Sequence, residues 1–147
     1  MKTEKQILNF AKKIFKEEII ALNKVQKNLN NNFSKAVNLI YNTKGNIVFT
    51  GVGKSKLILE KTCGTFSSLG IPSYVLDINQ ASHGSLGNLQ KNDTVIIASN
   101  SGNTSELSTI FKYAKKYKIK IIGISSNAKS QLYKNSDINI IYSKIKE

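Results

Sequence analysis

Apolar residues near the start of the chain recur at steps of three and four. Ile7, Phe10, Ala11, Ile14, Ile19, Leu22, Val25 and Leu29 trace one stripe, Leu8 and Phe15 join Ile19 and Leu22 in a second beside it, and lysines fill the intervals. The spacing predicts an amphipathic helix from Thr3 to about Leu29. Because it is apolar over more than one face, it is expected to pack against two neighbours, one of them a second copy of the chain. Asn30, Asn31 and Asn32 interrupt the pattern. Asn32 or Ser34 is expected to cap a second helix through Ala36, Val37, Leu39, Ile40 and Tyr41, which Thr43-Lys44-Gly45 closes.

Beyond this point short β-rich runs alternate with helical spacing. Asn46–Thr50 precedes a helical pattern on Leu57, Ile58, Cys63, Phe66 and Leu69, and Ser73–Asp77 reads as a strand with Pro72 just ahead of it. Thr94–Ala98 contains the continuous apolar run of a strand buried on both faces, and Leu107, Ile110, Phe111 and Ala114 continue as a helix to about Tyr117. Ile119–Ile124 is another buried strand, Asn127–Leu132 a short helix or turn, and Ile138–Tyr142 a last strand. Five strands alternating with helices predict the α/β class, a parallel sheet covered on both sides by helices with right-handed crossovers. Ligands of such sheets sit at the carboxyl ends of the strands, near the point where strand order reverses.

A length of 147 residues suits one domain with its own core. The single Cys63 forms no intramolecular bridge and no Cys/His set has zinc spacing, which leaves the cytoplasm as the default and no metal expected. No signal-peptide pattern and no membrane-length apolar run is present, so no membrane partner is expected. The net charge of +13 raises nucleic-acid binding, yet all 22 basic residues are lysine. Arginine, the side chain suited to bidentate contacts, is absent, and nucleic acid is not expected as a partner.

Three segments carry candidate chemistry. Ser99-Asn100-Ser101-Gly102-Asn103-Thr104-Ser105 lies between a buried strand and a helix start, offering hydroxyls, amides and a glycine to an anion such as phosphate. The same residue types also serve as caps and turn formers. Glu106, read as just inside the helix, is a candidate base. Gly51-Val52-Gly53-Lys54-Ser55 repeats the strand, loop and helix theme, with too few residues for a Walker loop and Lys56 where a dinucleotide fingerprint has its third glycine. No nucleotide or other organic cofactor is therefore expected. Lys54 would meet an anion at a helix N-terminus, or stand as a surface lysine. His83, the only histidine, lies in His83-Gly84-Ser85-Leu86-Gly87 as an acid, a base, a ligand or a filler.

Taken together, Gly51–Ser55, Ala81-Ser82-His83-Gly84-Ser85-Leu86-Gly87 and Ser99–Glu106 resemble the sugar isomerase (SIS) domain, within it the arabinose-5-phosphate isomerases. The likeness implies a three-layer αβα sandwich with a five-stranded flavodoxin-like sheet, in which residues 1–42 are N-terminal helices and 43–147 the sugar-phosphate-binding core of one domain. It implies a phosphorylated sugar as substrate, interconversion of D-arabinose 5-phosphate with D-ribulose 5-phosphate for synthesis of Kdo, a sugar of lipopolysaccharide, and a homotetramer. Lys54, His83, Glu106 and Glu147 match catalytic positions; Gly53, Ser55, Ser99, Asn100, Ser101, Gly102 and Thr104 fall in the phosphate-binding loops. Ser85 and Asn103 replace acidic residues of the family and Lys56 a glycine. Family members continue beyond the position of Glu147, often into paired CBS modules. The expected alternatives are a shortened isomerase and a non-catalytic sugar-phosphate sensor.

Overall fold

The structure, a computed structural model, describes residues 2–79 and 84–144. Helices α1 (Glu4–Asn28) and α2 (Asn31–Asn42) lead into β1 (Ile47–Gly51), α3 (Lys54–Ser68), β2 (Ser73–Val75) and a 3-10 turn at Ser85–Asn88. Then follow β3 (Thr94–Ala98), α4 (Leu107–Tyr117), β4 (Lys120–Ser125), α5 (Gln131–Asn135) and β5 (Ile138–Ile141). The five strands form one parallel sheet in the order β2-β1-β3-β4-β5, a three-layer αβα arrangement of flavodoxin type.

Strand side chains alternate between two cores, which is why the strands are apolar throughout. Val48, Val95, Ile97 and Ile121 meet Leu107, Ile110, Phe111 and Ala114 of α4 and Leu132 of α5. On the other face Ile47, Phe49, Ile96 and Ile122 meet Ala36 of α2 and Leu59 and Cys63 of α3, and Phe49 sets its ring edge-on to Phe66 at 5.2 Å. β1, next to both β2 and β3, marks the reversal of strand order, and the helices leaving β1 and β3 fall on opposite faces.

Several boundaries differ from the sequence reading. Asn30, rather than Asn32 or Ser34, caps α2, its extended backbone letting the side chain accept from Asn32 N at 2.9 Å. The strand expected over Ser73–Asp77 ends at Val75, because Leu76 and Ile78 turn into the core beside Leu86 and Leu89. The short helix begins only at Gln131, where the Ser130 hydroxyl accepts from Tyr133 N at 3.1 Å.

Helix α1 starts on a capping box between Thr3 and Gln6 and buries no residue. Phe15 and Leu22 are 71% and 67% exposed. Only the last turn reaches the body, where Asn28 Nδ2 donates to Ser143 Oγ at 2.6 Å. Among the described residues the two apolar stripes are thus left largely uncovered. No helix among the described residues is long and apolar enough to cross a membrane.

Thr50 is fully buried with its hydroxyl unpartnered among the described residues. An unmade hydrogen bond there costs about 1–3 kcal/mol. The near-isosteric Thr50→Val should raise the urea unfolding free energy by about 1 kcal/mol; a loss of that size would show that the hydroxyl is satisfied.

Candidate functional site

β1 and β3 pair from Ile47 with Thr94 to Gly51 with Ala98, so the turns leaving the two strands begin side by side. At Gly51 a Cβ would lie 2.9 Å from the Ala98 carbonyl oxygen, so only glycine permits this approach. Gly53, at φ 58°, swings the chain into α3, and its carbonyl accepts from Lys56 N and Leu57 N. The amides of Lys54 and Ser55 open the helix, at its positive end, where no intrahelical acceptor exists. Lys54 is exposed and Ser55 half-buried.

The loop after β3 is organised from within and from the side. Buried Ser99 accepts from Gly102 N at 3.1 Å, and its hydroxyl lies 2.9 Å from that of Thr104. Ser101 Oγ accepts from Asn103 N at 3.3 Å. Gly102 has φ 66°, and a Cβ on it would run into Ser130 Oγ and Cβ. From the side, Ser126 donates to the Asn100 carbonyl through its amide and its hydroxyl, at 3.2 and 2.8 Å. Asn127 Nδ2 donates to Ser101 O at 3.3 Å, Leu132 N to Gly102 O at 2.9 Å and Gln131 N to Asn103 Oδ1 at 2.9 Å. Ser126, Asn127 and Gln131 were not singled out in the sequence. Their signal was the Ser125-Ser126-Asn127 cluster closing a buried strand, whose turn must lie at the same sheet edge.

Ser55 and Ser99 line one hollow of about 440 Å³ whose other walls are mostly apolar, among them Phe49, Leu59, Phe66, Ile96 and Ile124, with the Tyr142 ring. Gly53, Lys54, Asn100, Ser101, Gly102 and Thr104 stand on the turns around the same edge. Glu106 is not inside α4 but is its N-cap residue, because Leu107 N and Ser108 N turn back to Thr104 O and Ser105 O and delay the helix. Its carboxylate is exposed and accepts from Ser105 Oγ at 2.8 Å. Its own backbone N–H and the Ser105 hydroxyl hold it below the usual carboxylate range. His83 and Glu147 lie outside the described residues.

Lys56 points its ammonium to Asp77 Oδ2 at 2.8 Å, and Asp77 Oδ1 accepts from Asn79 N at 2.9 Å. The bond to Asp77 raises the Lys56 pKa above its ordinary value. Lys54 is therefore the cationic side chain of this turn left free of a carboxylate among the described residues. Two helix starts, several small hydroxyls and a free ammonium on one edge suit a phosphate dianion.

A profile of the SIS domain matches residues 39–146. The chain belongs to the SIS domain family. It is 39% identical over 127 residues to the uncharacterized protein RP505 of Rickettsia prowazekii, covering 86% of this chain and 40% of that one. It is 38% identical over 136 residues to the arabinose 5-phosphate isomerase KdsD of Francisella tularensis, covering 90% and 42%. The chain thus spans about two fifths of the length of these curated relatives. The solved structure of Escherichia coli CFT073 c3406 in complex with arabinose 5-phosphate superposes with a TM-score of 0.91 at 30% identity, over 99% of this chain and 77% of that one. The SIS fold seen in this chain is shared with phosphosugar isomerases.

The conformation of Gly102 sets the loop after β3, so Gly102→Ala should cost about 2 kcal/mol or more in urea unfolding and, where that loop is the anion site, abolish thermal stabilisation by inorganic phosphate. Gly64→Ala, on open space in α3, is the control and should be neutral or stabilising. Equal behaviour of the two variants would contradict the assignment.

Proposed function

We propose that the chain is an aldose–ketose isomerase that interconverts D-arabinose 5-phosphate and D-ribulose 5-phosphate in the cytoplasm, feeding synthesis of the lipopolysaccharide sugar Kdo. The observation that carries this reading is the adjacency of the Gly51–Ser55 turn and the Ser99–Ser105 loop at one sheet edge, where Ser55 and Ser99 share a hollow. Relatives named as arabinose 5-phosphate isomerases and a structural neighbour in complex with that sugar phosphate support the choice of sugar. Residues 43–147 form the sugar-phosphate-binding core, with residues 1–42 as N-terminal helices of which α1 serves assembly while α2 packs on the sheet, and the whole is one domain.

In this mechanism Gly53, Ser55, Ser99, Asn100, Ser101, Gly102 and Thr104 hold the phosphate, which fixes the sugar with C1 and C2 beyond it. His83 assists ring opening or protonates oxygen. A carboxylate, Glu106 or Glu147, removes the C2 proton of the open aldose and returns it to C1, while O1 gains a proton and O2 loses one across the enediol. The Lys54 ammonium steadies the enediolate charge. The low pKa of Glu106 keeps it ionised at neutral pH, the form a base needs, though a weaker base than an unperturbed carboxylate. Ser85 and Asn103, where the resembled family carries acidic residues, favour a second reading, a sugar-phosphate sensor without turnover.

Conversion of arabinose 5-phosphate to ribulose 5-phosphate separates the two. If Glu106 is the base, Glu106→Gln should lower kcat by roughly a hundredfold or more while sugar-phosphate affinity stays within about threefold. Because its pKa is depressed, the acid limb of kcat, which reports the substrate-bound enzyme, should lie below the ordinary glutamate value of about 4.3. Binding without turnover in the unmodified protein would establish the sensor.

The uncovered stripes of α1 support a homotetramer assembled through the N-terminal helices. Sedimentation at micromolar concentration should give four times the 16.3 kDa chain mass. Leu22→Lys together with Phe15→Lys should shift it towards the monomer; a monomeric parent protein would refute the assembly.

A further inference from the structure

We infer that Tyr142 is a positioning residue of the anion site, orienting the Asn100 side chain so that its amino group faces a bound phosphate. This inference rests on the phosphate-binding part of the reading above and not on turnover.

Tyr142 follows β5, and its amide donates to Ser125 O at 3.2 Å, which pins the residue beside the end of β4. Its ring lines the hollow shared by Ser55 and Ser99, and its hydroxyl reaches across to donate to Asn100 Oδ1 at 3.0 Å. Burial raises the phenol pKa, so the hydroxyl remains a donor at neutral pH. An amide side chain has one acceptor end and one donor end. With Oδ1 held by Tyr142, the Nδ2 group is the end left over, and it makes no hydrogen bond among the described residues. The Asn100 carbonyl is independently fixed by Ser126, so the side chain is the one part of this residue whose orientation the backbone bonds do not set. A freely turning amide would present its oxygen to an anion for part of the time, and that encounter is repulsive. Tyr142 disfavours this orientation, because its hydroxyl donates to Oδ1 and a phenolic oxygen is a poorer acceptor than donor.

The test is calorimetric titration with inorganic phosphate, combined with thermal unfolding. Tyr142→Phe keeps the ring and deletes the hydroxyl; it should weaken phosphate binding roughly five- to tenfold, the weight of one hydrogen bond. In an Asn100→Ala background, itself weaker in binding, Tyr142→Phe should have no further effect on affinity. With arabinose 5-phosphate, Tyr142→Phe should raise KM and leave kcat nearly unchanged, since the phosphate lies away from the reacting carbons. Unaltered phosphate affinity in Tyr142→Phe would overturn the inference. So would an equal loss in the Asn100→Ala background, because Tyr142 would then act through fold stability. Failure of the unmodified protein to bind phosphate would overturn it as well, whereas binding without isomerisation would leave it standing and remove only the enzymatic reading.

Discussion

The parallel pairing of β1 with β3 is the constraint on which the site depends. With Gly51 level with Ala98, both chains leave the sheet at the same height, and neither turn has room to shift. The close contact between Gly51 and the Ala98 carbonyl forbids a side chain there, and the two covered faces forbid a slip in register, which would drive Val95 or Ile96 out of its core. The sheet therefore sets the spacing of the two helix starts more firmly than any contact between the loops. A phosphate needs this kind of fixed arrangement, since donors that must first be gathered lose in ordering much of what they give in attraction.

Charge is deployed sparingly at this edge. The chain carries 22 lysines, yet Lys56 beside the anion turn is occupied by Asp77 and approached by Glu60, so its charge is spent on holding the chain after β2 to α3. Lys54, two residues earlier, carries no such carboxylate among the described residues. Hydroxyls supply much of the remainder, and they are tied to one another: Ser99 to Thr104, Ser101 to the Asn103 amide. A loop whose own hydroxyls are mutually bonded keeps its shape before a ligand arrives. The third support is the turn after β4, where Ser126 and Asn127 hold the loop backbone from outside.

The strands and long helices were legible because their signals are strong and local. Runs such as Val95-Ile96-Ile97 have no stable place except a sheet covered twice, and the stripes of α1 have the helical period. Boundaries were less legible where tertiary packing decides them. Leu76 and Ile78 continue the pattern of a strand, but the core takes them after β2 has ended. Glu106 looked helical, and it lies just outside α4 because two 3-10-type bonds tighten the preceding turn. The two turns proposed to hold phosphate stood out in the sequence through glycine spacing and small polar residues. Their outer support did not, since Ser126, Asn127 and Tyr142 belong to other segments and reach the loop only through the order of β3, β4 and β5. Tyr142 read simply as the end of a strand.

The most direct measurement of the shared anion edge is a ¹H–¹⁵N NMR titration of the isotope-labelled protein with D-arabinose 5-phosphate. The amides of Gly53 and Ser55 after β1 and of Gly102 and Thr104 after β3 should shift together along one binding isotherm. Shifts confined to one of the two turns, or centred on the lysines at the opposite end of the sheet, would contradict a single phosphate held between them.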